Sequence, residues 1–138
     1  MTITTSQSRT LIESVLAGSE AITALGITLE DLGEDTAVLK MPWQPHLTRG
    51  DGTIYHGGPV ASLIDIAGDM VVAVRAGGGV PTISLRVDYL RPSTGPHLLA
   101  TGRLRRFGRT ISVSDVEVHD HEGRLCAVGR GTYASFVG

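Results

Sequence analysis

The sequence predicts an α+β domain in which one antiparallel sheet curls around a single long helix. Three observations lead there: an apolar helix bounded by glycines in mid-chain, a run of strand patterns with no further helix after it, and a hairpin pattern before it. The helix, from about Gly58 to Ala76, opens on a glycine pair with Pro59 in its first turn and stops at Gly77-Gly78-Gly79. Its apolar residues, among them Val60, Leu63, Ile64, Ala67, Met70, Val71 and Val74, cover more than one stripe, so most of its circumference must be buried. Something has to wrap it.

Ahead of that helix, Leu11, Ile12, Val15, Leu16 and Ile22 recur at helical spacing, with Gly18 and Ser19 weakening the middle. This predicts a short amphipathic helix over about 8–25. From Gly26 the period becomes strand-like: Ile27, Leu29 and Leu32, a turn at Gly33-Glu34-Asp35, then Ala37, Leu39 and Met41 alternating with Val38 and Lys40. Residues 43–55 form the longest irregular connection, a place where function often resides. After the helix, Val80 to Leu90 sets Ile83, Leu85, Val87 and Tyr89 on one face. Strands are predicted over Leu98 to Phe107, Thr110 to His119 and Arg124 to Phe136. In the second of these the apolar phase slips from Ile111 and Val113 to Val116 and Val118, which predicts a bulge near Ser114-Asp115.

The chain has 138 residues, enough for one domain over 1–138, with the short helix followed by a core over 26–137. A formal net charge of −2 excludes a general binder of nucleic acid, which needs a strong basic excess. The lone Cys126 has no disulfide partner, and the polar start from Met1 to Thr10 lacks the apolar core of a signal peptide, so a cytoplasmic location is expected. No membrane span is expected, since runs such as Met70 to Val74 are too short and wholly apolar only locally. Every basic residue except Lys40 is arginine, the bias of a GC-rich bacterial genome.

Chemistry concentrates at the start of the central helix, where His56-Gly57-Gly58 precedes Asp65 by about two turns. Backbone N–H groups at a helix start lack intrahelical partners and sit at the positive end of the dipole, so they suit an oxygen that gains negative charge. Gly57 allows a carbonyl to approach. Asp65 is the candidate base or nucleophile toward the carbon of that carbonyl, which points to acyl chemistry. Asp69 reads as a solvated or interface residue that raises the proton affinity of Asp65.

Together, His56-Gly57-Gly58, Leu63, Asp65, Tyr89-Leu90-Arg91-Pro92, Gly108-Arg109 and Gly123-Arg124-Leu125 resemble the hotdog-fold acyl-CoA thioesterases. Among these the chain is most similar to the phenylacetate-degradation and hydroxybenzoyl-CoA thioesterase-like subgroup, over roughly Leu25 to Phe136. The resemblance implies that Gly57 donates to the thioester oxygen, that His56 borders the thioester, and that Asp65 aligns water or attacks directly. It implies that Thr82, presented from the neighbouring subunit, helps to hold the water. It further implies an acyl-CoA substrate, no cofactor, and homodimers assembling into homotetramers. The family's Asn or Gln six residues before the histidine is absent: Gly50 stands there, or Arg49 if the loop holds one extra residue.

A CoA site needs cations, for which Arg91, Arg106 and Arg109 are the candidates, although each arginine alone also fits an exposed turn. Trp43 and Tyr55, in the loop before the helix, are candidates to shape the acyl pocket. His46, His119 and His121 make a poor ligand set, so no metal is expected. Cys126 reads as a packed thiol, and Gly129-x-Gly131-x-x-Ala134 is no dinucleotide fingerprint because no helix follows it. Two other readings stand beside hydrolysis: an enoyl-thioester hydratase or dehydratase, whose usual His-Phe-Pro-like stretch is missing, and an acyl-CoA-binding protein without activity.

Overall fold

The computed structural model describes residues 4–138. Residues 1–3, part of the polar start discussed above, lie outside it. The elements are α1 (Thr5–Ala17), α2 (Glu20–Leu25), β1 (Thr28–Leu32), β2 (Thr36–Pro42), a 3-10 turn at Pro45–Leu47, α3 (Gly57–Ala76), β3 (Thr82–Tyr89), β4 (His97–Phe107), β5 (Ile111–Asp120) and β6 (Leu125–Ala134). The strands form one six-stranded sheet in the order β1-β2-β4-β5-β6-β3. All neighbours are antiparallel. The sheet curves around α3, the hotdog arrangement that the resemblance implies.

α3 is long and apolar enough to cross a bilayer by composition, but Val60, Leu63, Ile64, Ala67, Met70 and Val72 are buried in the protein core. All but Val72 share one cluster with Leu39, Met41, Leu98, Ala100, Val116 and Val118 of the sheet, while Val72 packs with Val80 and Tyr133. Contact is closest where small residues meet: a Cβ on Gly102 of β4 would lie 2.6 Å from the Ala67 carbonyl oxygen, and one on Gly68 would overlap the Tyr133 hydroxyl. Gly102 lets sheet and helix touch backbone to backbone, and Gly68 leaves room for the Tyr133 and Ser114 hydroxyls against the helix.

Four expectations need correction. The predicted helix over 8–25 is two helices, because Ser19 takes an extended conformation and caps α2 through the Ile22 N–H. α1 has its own capping box from Thr4 and Gln7. β5 carries no bulge at Ser114-Asp115. Ser112, Ser114, Val116, Val118 and Asp120 all turn inward in unbroken alternation. The extra residue is Arg105 on β4, between the pairs Leu104↔Ser114 and Arg106↔Val113. The apparent slip arose because buried serines stand where apolar residues were sought. Their hydroxyls are satisfied: Ser114 donates to the Gly68 carbonyl at 3.0 Å, and Ser112 pairs with Ser135 at 2.7 Å. Finally, β6 ends at Ala134 rather than Phe136, and α3 starts one residue early, at Gly57.

β3 is an edge strand, and the apolar face expected for it is mostly open. Ile83 is 55% exposed and Leu85 36%, while Val87 alone of the four is partly packed on the core.

Candidate active site

α3 is preceded by His56, whose extended backbone caps the helix without a side-chain bond to the first turn. No acidic residue occupies that turn, so its first N–H groups stay free at the positive end of the dipole. Gly57 and Gly58 are exposed. The chain is steered into this position by three bonds from the preceding loop. The His56 N–H donates to Leu47 at 2.8 Å and the Tyr55 N–H to Ser93 at 3.0 Å. The buried Tyr55 hydroxyl donates to Gly95 at 3.0 Å, and burial pushes that phenol up to about 12. From β3 the Tyr89 hydroxyl donates to the Gly57 carbonyl at 2.6 Å.

The helix start opens into a groove of about 420 Å³ lined by Arg49, Tyr55, His56, Gly57, Val60, Tyr89 and the Leu90-to-Ser93 segment. Arg91 is thus at the His56 end. Arg49 is there too, whereas Gly50 is not part of the lining. Trp43 faces a separate, mainly apolar depression of about 680 Å³ with Gly52, Thr53 and the Thr94-to-Pro96 segment. Its indole donates to the Gly52 carbonyl at 2.9 Å.

Asp65 belongs to a second cluster. The Thr82 hydroxyl donates to Asp65 Oδ1 at 2.8 Å, and the buried Tyr133 hydroxyl donates to the Asp65 backbone carbonyl at 2.9 Å. Beneath it, the Ser114 hydroxyl fastens the Gly68 carbonyl. One turn on, Asp69 Oδ1 accepts the Val80 N–H at 3.0 Å. Asp69 is no solvated surface residue. Burial, opposed by the Val80 bond and reinforced by the Asp65 charge, pushes its carboxyl up to about 6.

Thr82 bonds Asp65 of its own chain, so the two belong to the same half of any site shared between subunits. Gly57 and Asp65 of one chain cannot serve one carbonyl, because eight residues of helix separate them by about 12 Å along the axis. The remaining arginines are dispersed. Arg106 and Arg109 lie at the β4–β5 turn, level with Thr82 through the pairs Phe107↔Ser112, Ser112↔Tyr133 and Thr82↔Tyr133, and so at the far end of the sheet from Arg91. The Cys126 thiol is buried, which pushes it up and leaves it a packing group.

Residues 52–127 match the Thioesterase superfamily. The chain belongs to that superfamily. It is 33% identical to an Escherichia coli K12 protein named medium/long-chain acyl-CoA thioesterase YigI, over 80% of this chain and 81% of the relative. Among solved structures, one from the thioesterase superfamily has a TM-score of 0.88 at 32% identity, covering 93% of this chain and 98% of its own. The Escherichia coli PaaI protein from the phenylacetic acid degradation operon shares the fold, with a TM-score of 0.85 at 24% identity over 96% of this chain and 95% of its own. Superfamily membership, with these relatives, supports a thioester hydrolase.

Sequence reasoning missed Tyr89, Tyr133 and Ser114. Tyr89 lies in the Tyr89-Leu90-Arg91-Pro92 motif without an assigned role, and the other two carry no local signal: the partners of Ser114 and Tyr133 are 46 and 68 residues away in the chain. Arg49 was considered only as a replacement for an amide. Its place in the groove is visible only once the loop is folded.

Proposed function

We propose that the protein hydrolyses acyl-CoA thioesters at sites shared between two copies of the chain. The observation that supports this best is the geometry of β3. Its Thr82 end is bonded to Asp65 and its Tyr89 end to Gly57. An antiparallel, two-fold pairing of β3 with the β3 of a second copy would therefore bring the Asp65–Thr82 pair of one chain beside the Gly57 N–H of the other. The same pairing would cover the exposed Ile83, Leu85 and Tyr89 and the open ladder of an edge strand. Pairs of such dimers would give the tetramer.

In this reading the thioester carbonyl lies against the Gly57 N–H, with His56 alongside. Water, held by Thr82 and deprotonated by Asp65, attacks the carbonyl carbon, and the Gly57 N–H stabilises the oxyanion. The intermediate collapses with cleavage of the C–S bond, the thiolate takes the proton back, and free acid and CoA leave. Direct attack by Asp65 through an anhydride, followed by hydrolysis, gives the same products. Arg91 and Arg49 suit the phosphates of CoA in the groove. Arg106 and Arg109 would reach such a site only from the second copy. Tyr55, and the depression beside Trp43, favour an aryl or medium-chain acyl group, and the name of the YigI relative points to medium or long chains.

Thiol release from aryl, short, medium and long acyl-CoA esters tests the proposal, with Asp65→Ala run beside the native protein. Release that depends on Asp65 supports it and ranks the acyl groups. Tight binding without release would favour the inactive acyl-CoA binder, and hydration of an enoyl thioester would favour the hydratase.

A further inference from the structure

α3 carries a second carboxylate that this reaction scheme does not use. Asp69 lies one turn beyond Asp65, and its Oδ1 accepts the Val80 N–H at 3.0 Å. An enclosed carboxylate is costly, and one backbone N–H offsets only part of that cost. What the bond does is close the Gly77-Gly78-Gly79 turn onto the helix. Three glycines in a row give the chain wide freedom just before it enters β3.

From Val80 the path to the reacting carboxylate is short. Val80 packs its side chain in the cluster of Val72 and Tyr133, which sets its depth. The N–H bond to Asp69 sets the direction in which the chain leaves. Pro81 follows with a fixed φ, and its carbonyl accepts the Ala134 N–H at 2.9 Å, locking the strand to β6. The next residue is Thr82, whose exposed side chain has its bond to Asp65 Oδ1 at 2.8 Å. Asp65 and Asp69 thus bind the same stretch of chain at two points, one through a hydroxyl and one through the backbone.

We propose that Asp69 is a positioning residue for thioester hydrolysis: by anchoring Val80 it sets the entry of β3 and holds the Thr82 hydroxyl on Asp65. The proposal rests on Asp65 being the reacting carboxylate. The ionisable groups that face Asp69 are Asp65 on its own helix and the Tyr133 hydroxyl from β6. Ionised Asp69 is the stronger acceptor for Val80, so the anchor tightens as the carboxyl loses its proton near pH 6.

The test compares kcat and KM for acyl-CoA hydrolysis across pH 5 to 9 in the native protein, Asp69→Ala, Asp69→Asn, Thr82→Ala and the Asp69→Ala/Thr82→Ala pair. Hydrogen exchange of the Val80 amide is followed in each. Asp69→Ala should lower kcat about tenfold with KM within about twofold, and Val80 should exchange faster. Asp69→Asn keeps an acceptor oxygen, so it should recover most of kcat while losing the limb near pH 6. The double variant should be no worse than Thr82→Ala alone, because Asp69 acts through Thr82. Losses that multiply in the double variant, or a native kcat in Asp69→Ala, would overturn the proposal. So would an Asp69→Asn as impaired as Asp69→Ala. If Asp69→Ala does not fold, the Asn variant's pH profile and Val80 exchange decide. No thiol release by the native protein would instead remove the hydrolytic reading itself, a result distinct from native release that ignores Asp69.

Discussion

The two ends of the face of α3 that carries Gly57 and Asp65 are built in opposite ways. At the N-terminus the helix is left open: His56 caps it with backbone alone, Gly57 and Gly58 are exposed, and the nearest polar contact is the half-exposed Tyr89. Two turns on, the helix is fastened from below and from the side. Tyr133 and Ser114 hold its carbonyls, Thr82 holds the Asp65 carboxylate, and Asp69 holds the incoming strand. Free donors are useful where an oxyanion must be met by groups that have no other partner. A base or nucleophile needs a fixed direction, which takes several bonds. Hydrogen bonds gather on the helix segment that carries the carboxylate, while the helix start receives the Tyr89 bond at a carbonyl and none from a side-chain cap.

The sharpest way to break that division is to remove the fastened group. Asp65→Ala should lower kcat by roughly two to four orders of magnitude in thiol-release assays while the protein stays folded. Thr82→Ala should cost less, about tenfold. A variant without Asp65 that still turns over at the native rate would place the chemistry elsewhere. Next in size is a change that prises helix from sheet without touching any reacting group. In Gly102→Ala the new methyl would sit 2.6 Å from the Ala67 carbonyl oxygen, backbone that cannot swing aside. We expect a loss of about 3 kcal/mol by denaturant titration. Activity per folded molecule should fall as well, since Asp65 and Gly68 ride on the same helix segment.

This division was only half legible in the sequence. The open end was visible because glycine, proline and histidine at a helix start are local signals, and α3 and β2 followed from periodicity, whereas the pairing of β3 with β6 and of β4 with β2 has no local signal. Asp65 stands out by its offset from His56. The fastening was invisible, because Ser114 in β5 looks like a solvent-facing residue until Gly68 and Gly102 bring the helix close enough for its hydroxyl to reach it, and Ser112 likewise until Ser135 faces it. The same serines produced the false bulge. The tie of Asp69 to Val80 was invisible for a related reason: the partner is a backbone N–H, and no side-chain pattern announces that.

A third prediction uses pH. The Asp69 carboxyl is ordinary in the unfolded chain, at 3.8, and stands at about 6 when folded. Between those values the folded state binds the proton more tightly, so stability rises as pH falls from about 6 toward 4, by at most about 3 kcal/mol. Asp115, held low by its bond to Arg130, contributes in the opposite sense but loses its effect only below its ordinary value. Asp69→Asn should therefore flatten the stability curve between pH 4 and 6 and raise stability at pH 8. A native-like slope in that variant would assign the titration to another group.

The smallest effect should come from the open end. Tyr89→Phe removes one donor to the Gly57 carbonyl, a group that also accepts within the helix, so no buried acceptor is orphaned and about 1 kcal/mol or less should be lost. Melting should shift by only a few degrees. Turnover should drop a few-fold, because the glycine that presents the N–H loses its one lateral restraint while the N–H itself stays in place. If Tyr89→Phe instead cost as much as Asp65→Ala, the hydroxyl would be a reacting group, and the helix start would be no less built than the carboxylate end.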